Sequence, residues 1–306
     1  PALPRGAGEG PGEAVIERLC VVGVGLIGGS LARALRAAGA VREVVGCGRG
    51  RANLERAVAL GVVDRFTQDV GEAVSGADLV FLALPLGAMR PALEALRDRL
   101  APGAVVTDGG SAKASVVADA RAVFGAVPPF FVPSHPLAGI EKNGVEASFA
   151  TLYRSRRVIL TPLHETDPGA VARVEEMWRA CGAEVSYMTV GHHDEVLAAT
   201  SHLPHMLAYA LVDSLARLEE HDEVFRYAAG GFRDFTRIAS SNPVMWRDIC
   251  IANREALARM LGRFSGELAE LTAAVEGGDG ERLLEIFARA KRARDRYVDG
   301  GVPSPE

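Results

Sequence analysis

Cysteine is scarce in this chain, and long apolar runs are absent from it. The four cysteines lie far apart and form no C-x-x-C pair: Cys20, Cys47, Cys181 and Cys250. This usage differs from that of a secreted disulfide scaffold, so we expect a protein of the reducing cytoplasm. The longest apolar run, 79–89, is interrupted by Pro85 and is shorter than the roughly 20 residues of a membrane-spanning helix. We therefore expect no membrane partner.

An excess of positive charge is also lacking. The formal net charge is -5, with 48% hydrophobic and 24% charged residues, which is the composition of an ordinary globular protein. Nothing in this balance favours binding to nucleic acid or to an anionic membrane surface. The length of 306 residues allows two domains, each with its own core.

Two patterns divide the chain. From Arg18 to about residue 160, short β-branched runs alternate with helical patterns, which predicts an α/β fold with a doubly wound parallel sheet. A strand at 157–160, a helix at 168–181 and a strand at 184–187 are predicted to complete this domain. After Val190 the periodicity is helical, over 194–218, 223–239, 245–274 and 280–297. We predict a disordered leader at 1–17, an α/β domain at 18–190, an all-helical domain at 191–298 and a tail at 299–306.

The penultimate helical segment carries a wide apolar stripe. Its residues recur at spacings of three and four: Leu257, Met260, Leu261, Phe264, Leu268 and Leu271. Such a stripe fits the core of a helical bundle within one chain, and it fits a contact between two copies of the chain equally well.

A G-x-G-x-x-G motif follows the first predicted strand and opens a helix. Gly23, Gly25 and Gly28 permit a tight turn and a close approach of the backbone to a pyrophosphate, and the helix N-terminus, with Leu26 and Ile27, offers N–H groups to the anion. The position in an alternating domain distinguishes this motif from a mere turn. Leu84, at the end of the strand predicted at 79–84, is assigned to the same dinucleotide site.

The second strand ends without the usual carboxylate. An NAD enzyme of this fold would carry Asp or Glu there to bind the ribose 2′-hydroxyl, whereas this sequence has Arg49 and Arg51 among small residues. We therefore expect NAD(P) as the cofactor, with NADP favoured over NAD or both tolerated. The alternative is that both arginines are solvated loop charges.

Candidate chemical residues form three groups. Ser111 follows a strand and precedes a helix, where it is either a site residue or a plain N-cap. His135 ends the next strand, with Glu141 just after it, and can accept a hydroxyl proton or be structural. The third group lies in the helical region and comprises Ser201, His202, His205, Gly230 and Arg237. Two histidines three residues apart suggest a metal, but without a nearby third ligand we expect none.

The order of these motifs resembles the prephenate and arogenate dehydrogenases of tyrosine biosynthesis. The resemblance covers nearly the whole chain, through GVGLIGGSLA, TDGGSAK, SHPLAGIEKNGVEAS, SHLPH, GGFRDFTRIA and SNPVMWRDI. It implies that His135 accepts a hydrogen bond from the C4 hydroxyl of the substrate ring and that Ser111 orients His135 and the nicotinamide. It also implies that Arg237 binds a substrate carboxylate. His205, Ser201, Glu141 and Gly230 are assigned to the substrate site by the same resemblance.

The implied reaction is the NAD(P)-dependent oxidative decarboxylation of prephenate to 4-hydroxyphenylpyruvate, with arogenate as the alternative substrate. A carboxylate near the substrate side chain would favour the ammonium of arogenate, and Glu141 is a candidate unless it pairs with Arg237. We favour prephenate. The resemblance also implies a homodimer formed through the C-terminal helices.

Two other functions fit parts of the sequence. A β-hydroxyacid dehydrogenase shares the predicted architecture, but it typically relies on a lysine of the helical domain, and residues 191–290 contain none. A nonenzymatic NADP-sensing protein would use the same fold and would leave Ser111, His135 and Arg237 without a purpose. No chorismate mutase bundle precedes Arg18, and the tail after Val298 is too short for a regulatory domain, so tyrosine feedback would act at the active site. Whether the chain is one unit of a longer fusion stays open.

Overall fold

The structure is a computed structural model that describes residues 16–140 and 142–299. Most of the predicted leader, Glu141 and the tail from residue 300 lie outside the described residues. The first strand begins at Ile16, so Ile16 and Glu17 belong to the fold and not to the leader. At the other end, Asp299 still belongs to the last helix instead of opening the tail.

The central feature is a six-stranded sheet in which all strand pairs are parallel. Its strands are β1 (Ile16–Val22), β2 (Val41–Cys47), β3 (Arg65–Thr67), β4 (Leu79–Leu82), β5 (Val105–Asp108) and β6 (Phe131–Val132). They lie in the order β3-β2-β1-β4-β5-β6. This confirms the predicted doubly wound sheet. All four residues of β4 are buried and apolar, because helices cover both faces of a parallel sheet.

Two apolar cores, one on each face of the sheet, hold the helices against it. The helices are α1 (Leu26–Ala37), α2 (Arg51–Ala59), α3 (Val70–Val74), α4 (Met89–Leu96), α5 (Lys113–Phe124) and α6 (Pro168–Ala180). Alternate residues of β1 point to opposite faces: Leu19 and Val21 join Trp178 of α6 in one core, whereas Cys20 and Val22 join the core that contains α4 and α5.

A separate three-stranded sheet follows, and it contains the two strands that were predicted to complete the first domain. It consists of β7 (Ser134–Pro136), β8 (Arg157–Leu160) and β9 (Glu184–Tyr187), with β7 antiparallel and β9 parallel to β8. The strand predicted to end at His135 is two strands: β6 ends at Val132, His135 lies in β7, and Pro133 between them has no N–H to donate to a ladder. Its carbonyl instead accepts from the N–H of Thr161 at 2.9 Å. The chain therefore changes sheets immediately before His135.

Five further helices complete the first compact unit, which ends at Asn253. They are α7 (Val190–Leu197), α8 (Leu203–Ala216), α9 (His221–Arg226), α10 (Gly230–Thr236) and α11 (Pro243–Ala252). A π-helical turn at Ala198–His202 joins α7 to α8. The segment predicted as one helix over 245–274 is interrupted at Asn253, which caps α11 in a non-helical conformation.

The second compact unit begins at Arg254 and contains α12 (Arg254–Glu276) and α13 (Gly280–Asp299). Within it, Arg282 of α13 pairs with Glu270 of α12 at 2.6 Å. Large apolar side chains of both helices remain exposed, with Leu268 at 51%, Leu284 at 63% and Phe287 at 57%. The predicted boundary at 190/191 does not coincide with this division and stays a prediction. Across residues 16–140 and 142–299, no helix is both long and apolar enough to cross a membrane.

Candidate active site

The first part of the candidate site is a glycine-lined loop at the carboxyl edge of the six-stranded sheet, between β1 and β4, where the strand order reverses. Gly23 has a φ of +101°, and a Cβ atom there would overlap the carbonyl oxygen of Ala83. A Cβ atom at Gly28 would overlap the carbonyl oxygen of Gly23 and lie 2.6 Å from Cγ1 of Val21. Close packing of backbone on backbone therefore requires glycine at both positions.

Gly25 differs from its two neighbours in the motif because it faces open space. No heavy atom lies within 4 Å of a Cβ built on Gly25, which caps α1 without any side-chain hydrogen bond. The first N–H groups of a helix have no intrahelical partner, so this end of α1 can bind an anion. Leu26 is buried, Ile27 packs beside Gly109 on the neighbouring loop, and Leu84 is half-buried. The loop thus has the shape that a dinucleotide pyrophosphate requires.

The two arginines after β2 lie on the surface beside this loop. Both Arg49 and Arg51 are exposed. Arg51 donates to Glu55 at 2.9 Å, and its guanidinium lies 5.7 Å from the centre of the Phe66 ring. Residues 48–52 include no carboxylate that would repel a 2′-phosphate.

Ser111 lies just beyond β5, half-buried, between Gly110 and the start of α5. The alternative role of a plain N-cap is wrong, because Ala112 occupies the cap position and α5 begins at Lys113. Strands β5 and β6 are neighbours, and Ser111 and His135 each follow the end of one of them by three residues. The two side chains therefore belong to the same edge of the sheet.

His135 is buried, with 8% of its surface exposed, and begins a hydrogen-bonded chain that the sequence did not reveal. Its Nδ1 lies 2.9 Å from Nε2 of His193, with the ring planes at 64°. The Nδ1 of His193 lies 2.8 Å from Oδ1 of Asp194. The only ring nitrogen of His135 left for a ligand is Nε2.

Asp194 is fixed by the N-terminus of α5. Its Oδ1 accepts from the N–H of Lys113 at 2.7 Å, and its Oδ2 accepts from the N–H of Ala114 at 2.8 Å. Burial raises the pKa of Asp194, but the hydrogen bonds from His193 and from these two amides outweigh burial and lower it below its usual value. Asp194 is therefore a carboxylate, and it accepts a hydrogen bond from the Nδ1–H of His193.

A fully buried ion pair supports the backbone beside His135. Lys113 Nζ donates to Asp108 and, at 2.7 Å, to the carbonyl of Ser134. Asp108 also accepts from the N–H of Gly110 at 2.7 Å and from that of Ser134 at 3.2 Å. Burial lowers the pKa of Lys113, and Asp108 opposes this change. The pair thus links β5, α5 and β7 at the position of the histidine.

The environment keeps His135 neutral. Burial lowers its pKa well below the ordinary value of 6.5, and the nearby His193, Lys113 and His202 act in the same direction. Burial likewise lowers the pKa of His202 to about 4. At neutral pH both rings are uncharged, so His135 has a free lone pair with which to accept a hydrogen bond.

His205 and Trp246 form a second part of the site. The two rings stack with centroids 3.6 Å apart and an interplanar angle of 20°. The Nδ1 of His205 lies 2.9 Å from the carbonyl of Ser201, so Ser201 acts through its backbone and not its hydroxyl in this contact. Burial lowers the pKa of His205, and the positive charge of Arg237 also lowers it. Arg237 is exposed, and its charge reaches the His205 ring.

Two buried N–H groups lie beside these rings. The side-chain amide of Asn253 lies 3.1 Å from Nδ1 of His202, which leaves His202 with its proton on Nε2. Neither that Nε2 nor Nε1 of Trp246 has a hydrogen-bond partner among the described residues. The two rings are 6.1 Å apart. Unpaired buried donors are rare in proteins and are often satisfied by a ligand or an ordered water.

Electrostatic interactions link His135 to His202, His202 to His205, and His205 to Arg237. The structure does not bring Gly230 into contact with them: Gly230 is exposed at the first position of α10, with no atom within 4 Å of a built Cβ. Glu141 lies outside the described residues. In the described part of the chain, no group of three histidine, cysteine or acidic side chains is arranged to hold a metal ion.

Comparisons with known proteins cover most of the chain. Residues 31–187 match the family model of the prephenate dehydrogenase nucleotide-binding domain, and residues 189–289 match that of the prephenate dehydrogenase dimerization domain. The chain belongs to the prephenate dehydrogenase family.

Individual members of the family are similar over most of their length. A cyclohexadienyl dehydrogenase of Zymomonas mobilis is 39% identical over 283 residues, covering 92% of this chain and 96% of the relative. The crystal structure of Aquifex aeolicus prephenate dehydrogenase with hydroxyphenyl propionate and NAD+ has a TM-score of 0.85 at 36% identity, covering 92% of this chain and 98% of that one. Arogenate dehydrogenase of Synechocystis has a TM-score of 0.77 at 30% identity, with coverages of 92% and 99%.

Within this prephenate dehydrogenase fold, sequence reasoning missed the residues behind His135. His193 and Asp194 were passed over because Asp194 was treated as the first residue of a long helix, and they follow β9 by six and seven residues, whereas His135 follows β6 by three. Asp108 and Lys113 belong to the TDGGSAK motif, from which only Ser111 was selected. Position at the end of a strand was therefore an available signal for Asp108, whereas nothing local to His193, Asp194 or Asn253 indicated their contacts.

Proposed function

We propose that the protein catalyses the NAD(P)-dependent oxidative decarboxylation of prephenate to 4-hydroxyphenylpyruvate. The observation that carries the proposal is a buried, neutral His135 with Nε2 available, at the same edge of the sheet as the glycine-lined loop. Membership of the prephenate dehydrogenase family supports the reaction class.

The glycine-lined loop fits the cofactor. Gly23, Gly25 and Gly28, with the amides at the start of α1, would hold the pyrophosphate, while Leu26, Ile27 and Leu84 would contact the rest of the nucleotide. A bound nicotinamide supplies the acceptor for the hydride. We favour NADP or dual use, since Arg49 and Arg51 are exposed after β2 and residues 48–52 contain no carboxylate. The NAD+ in the Aquifex aeolicus complex keeps NAD as the other choice.

His135 would handle the proton of the hydroxyl on C4. As hydride leaves C4, positive character develops on the carbinol, and a hydrogen bond from the hydroxyl to neutral His135 relieves it. Ser111, on the same sheet edge, would orient His135 and the nicotinamide ring. When the C1 carboxylate leaves as carbon dioxide, its bonding electrons enter the ring, and the resulting phenolate takes the proton back. No proton is released overall.

Arg237 would bind a carboxylate of the dianionic substrate, because a guanidinium can donate to it through two parallel hydrogen bonds. Its charge reaches His205, so we assign His205, Ser201 and the buried N–H groups of His202 and Trp246 to the same pocket. Gly230 and Glu141 stay assignments from the sequence resemblance alone.

The choice between prephenate and arogenate depends on the charge near the substrate's side chain. A cationic Arg237 favours the keto acid, whereas an unpaired Glu141 would favour the ammonium of arogenate. We propose prephenate as the preferred substrate. The names of the relatives include a cyclohexadienyl and an arogenate dehydrogenase, so arogenate is the alternative.

The test is a grid of four assays that follow absorbance of the reduced nucleotide, with prephenate or arogenate and NAD or NADP. We expect the highest kcat/KM with prephenate and NADP. Turnover only with arogenate would show that arogenate, and not prephenate, is the substrate. A higher kcat/KM with NAD than with NADP would show that NAD is the preferred cofactor. If nucleotide bound but no pair turned over, the enzyme assignment would be wrong and the NADP-sensing alternative would gain support.

We also propose that the protein is a homodimer assembled through the helices of 191–298. The match of 189–289 to a dimerization domain and the exposed Leu268, Leu284 and Phe287 support this. Sedimentation equilibrium should give twice the chain mass of 32.3 kDa. The variant Leu284→Glu should shift the protein toward monomer, and a wild-type monomer at all concentrations would contradict the proposal.

A further inference from the structure

The chain of His135, His193 and Asp194 leads from the reacting side of the site into the interior of the protein. We propose that His193 receives the proton equivalent that the substrate hydroxyl gives to His135, so that the positive charge of the reaction is held on His193 beside Asp194. This inference rests on the proposed role of His135, and it assigns to His193 and Asp194 a role in moving and holding the proton.

The hydrogen bonds fix the direction of the chain. A carboxylate only accepts, so the 2.8 Å contact with Asp194 requires the proton of neutral His193 on its Nδ1. Its Nε2 is then a lone pair, and the 2.9 Å contact requires His135 to donate from Nδ1. His135 must therefore present an unprotonated Nε2 to the substrate. Asp194, through His193, thus selects the tautomer of His135 that can accept.

The transfer balances without any other reactant. The substrate hydroxyl gives its proton to Nε2 of His135, and His135 gives its Nδ1 proton to Nε2 of His193. His135 stays neutral with its proton now on Nε2, while His193 becomes an imidazolium. The phenolate formed after loss of carbon dioxide reverses both transfers, because it takes the proton from Nε2 of His135.

The surroundings favour the charge on His193 over His135. The Nζ of Lys113 donates to the carbonyl of Ser134, next to His135, and His202 also opposes charge there. Burial lowers the pKa of His193, and Lys113 lowers it as well, but Asp194 and Asp108 oppose this change. Asp194 is in direct hydrogen-bond contact with His193 and is separated from His135 by that ring. Moving the charge one ring inward therefore brings it against a carboxylate.

Hydrogen bonds hold the side chain of Asp194 in this orientation. Its two oxygens are held by the N–H groups of Lys113 and Ala114, and its own carbonyl accepts from Asn253 at 2.8 Å. The start of α5 thus fixes the carboxylate, and Asn253, after α11, fixes the backbone of the same residue. Preorganised groups of this kind stabilise charge without rearrangement during the reaction.

The first test needs no substrate. In protein labelled with 15N histidine, long-range 15N–1H spectra report which ring nitrogens carry protons, and the variants His135→Asn and His193→Gln assign the signals. At neutral pH we expect both rings to be protonated on Nδ1. On acidification we expect His193 to become the cation while His135 stays neutral and moves its proton to Nε2. A His135 that is protonated on Nε2 at neutral pH, or that becomes the cation itself, would overturn the proposal.

The second test is kinetic. His193→Gln keeps an oxygen that can accept from Nδ1 of His135 but cannot take a proton, so kcat should fall on the order of 10- to 100-fold with little change in KM. A kcat near that of the wild type would show that His193 only positions His135, and it would overturn the transfer step.

The variant Asp194→Asn tests the carboxylate through pH. Because Asp194 raises the pKa of His193, its loss should move the acidic limb of kcat/KM to lower pH while lowering kcat. Asp167→Asn is the matched control, because Asp167 caps α6 through the N–H of Ala170 at 2.8 Å and contacts none of these histidines. An acidic limb that stays in place in Asp194→Asn would count against the proposal.

The two tests also separate failure of the proposal from failure of the proposed function. If no substrate pair turns over but the spectra show the expected tautomers and a cationic His193, the proton chain stands and the reaction assignment fails. If turnover is normal but the spectra or the kinetics of His193→Gln disagree, the reaction stands and the proton transfer to His193 is wrong.

Discussion

The nucleotide loop and the histidine chain lie at the same edge of one sheet, but they are built from different materials. The loop is backbone: Gly23, Gly28 and Ala83 pack so closely that a side chain would overlap. The histidine chain joins side chains of β7 and α7, 58 positions apart, and its carboxylate accepts from backbone amides of α5 that lie 80 and 81 positions away in sequence. The close packing of the loop acts between residues near in sequence, so it can be recognised as a sequence motif. The polar network joins residues that are distant in sequence, so it can be recognised only in the folded structure.

Removing the end of the histidine chain should have the largest effect. His135→Asn should lower kcat by about 10²- to 10⁴-fold, since the variant lacks the ring that accepts the proton. Nucleotide affinity, measured by titration calorimetry, should be unchanged because the loop does not depend on His135. The exposed His164 supplies the control His164→Asn. A His135→Asn enzyme with near-normal kcat would mean that another group accepts the proton.

The ion pair behind the histidine should be the most sensitive point of the fold. Lys113→Met leaves Asp108 buried without its partner, which should reduce the free energy of unfolding by about 3 to 5 kcal/mol. Lys291→Met removes the exposed pair with Asp295 on α13 and should change it by less than about 1 kcal/mol. Urea denaturation compares the two, and equal effects would show that burial does not govern this pair.

At the exposed side of the substrate pocket, Arg237→Ala should raise KM for prephenate by roughly 10- to 100-fold with a smaller effect on kcat. The reason is that a hydrogen bond to a charged group contributes about 1.5 to 3 kcal/mol. A tenfold change in affinity corresponds to about 1.4 kcal/mol. Arg233→Ala, on the same helical segment, is the matched control. An unchanged KM in steady-state kinetics would show that Arg237 does not bind the substrate.

On the loop, Gly25→Ala should separate binding from folding. Because its surroundings are open and its φ is −109°, alanine fits without strain, so Tm should be unchanged. The added methyl would occupy the space for the pyrophosphate and weaken nucleotide binding at least about tenfold, or about 1.4 kcal/mol. Gly23→Ala should lower both Tm and affinity, and Gly191→Ala, at an open helical position, should change neither. Unaltered binding in Gly25→Ala would contradict the assigned loop.

The histidine chain should also make stability depend on pH in a way that the loop does not. Folding lowers the pKa values of His135, His193 and His202 below 6.5, so the unfolded chain binds more protons as the pH falls. The folded state should therefore lose up to about 1.4 kcal/mol per pH unit for each ring between pH 6.5 and pH 5. Denaturation of His202→Gln should show a shallower slope than wild type, and identical slopes would count against a neutral His202.

The sequence predicted the doubly wound sheet because strands buried on both faces are continuous apolar runs, as in β4. It predicted the loop because the backbone packs so closely at Gly23 and Gly28 that no residue with a Cβ atom fits there. It also singled out His135, whose position after a strand is visible in the sequence. It failed at Pro133, where one residue moves the chain between sheets, and at Asn253, where a single cap separates two helices. His193 and Asp194 were not found because their partners are distant in sequence.

Because Asp194 caps α5, the part of the chain before residue 190 cannot be exchanged between related proteins independently of α7. A piece that ended at residue 190 would keep the G-x-G-x-x-G loop and His135, yet it would leave the amides of Lys113 and Ala114 without their acceptor and His135 without a neighbour to choose its tautomer. Chimeras between related dehydrogenases that join at this point would pair one parent's α5 with the other's α7. The smallest exchangeable part that preserves the chemistry therefore includes α7, although the sequence families place their border before it.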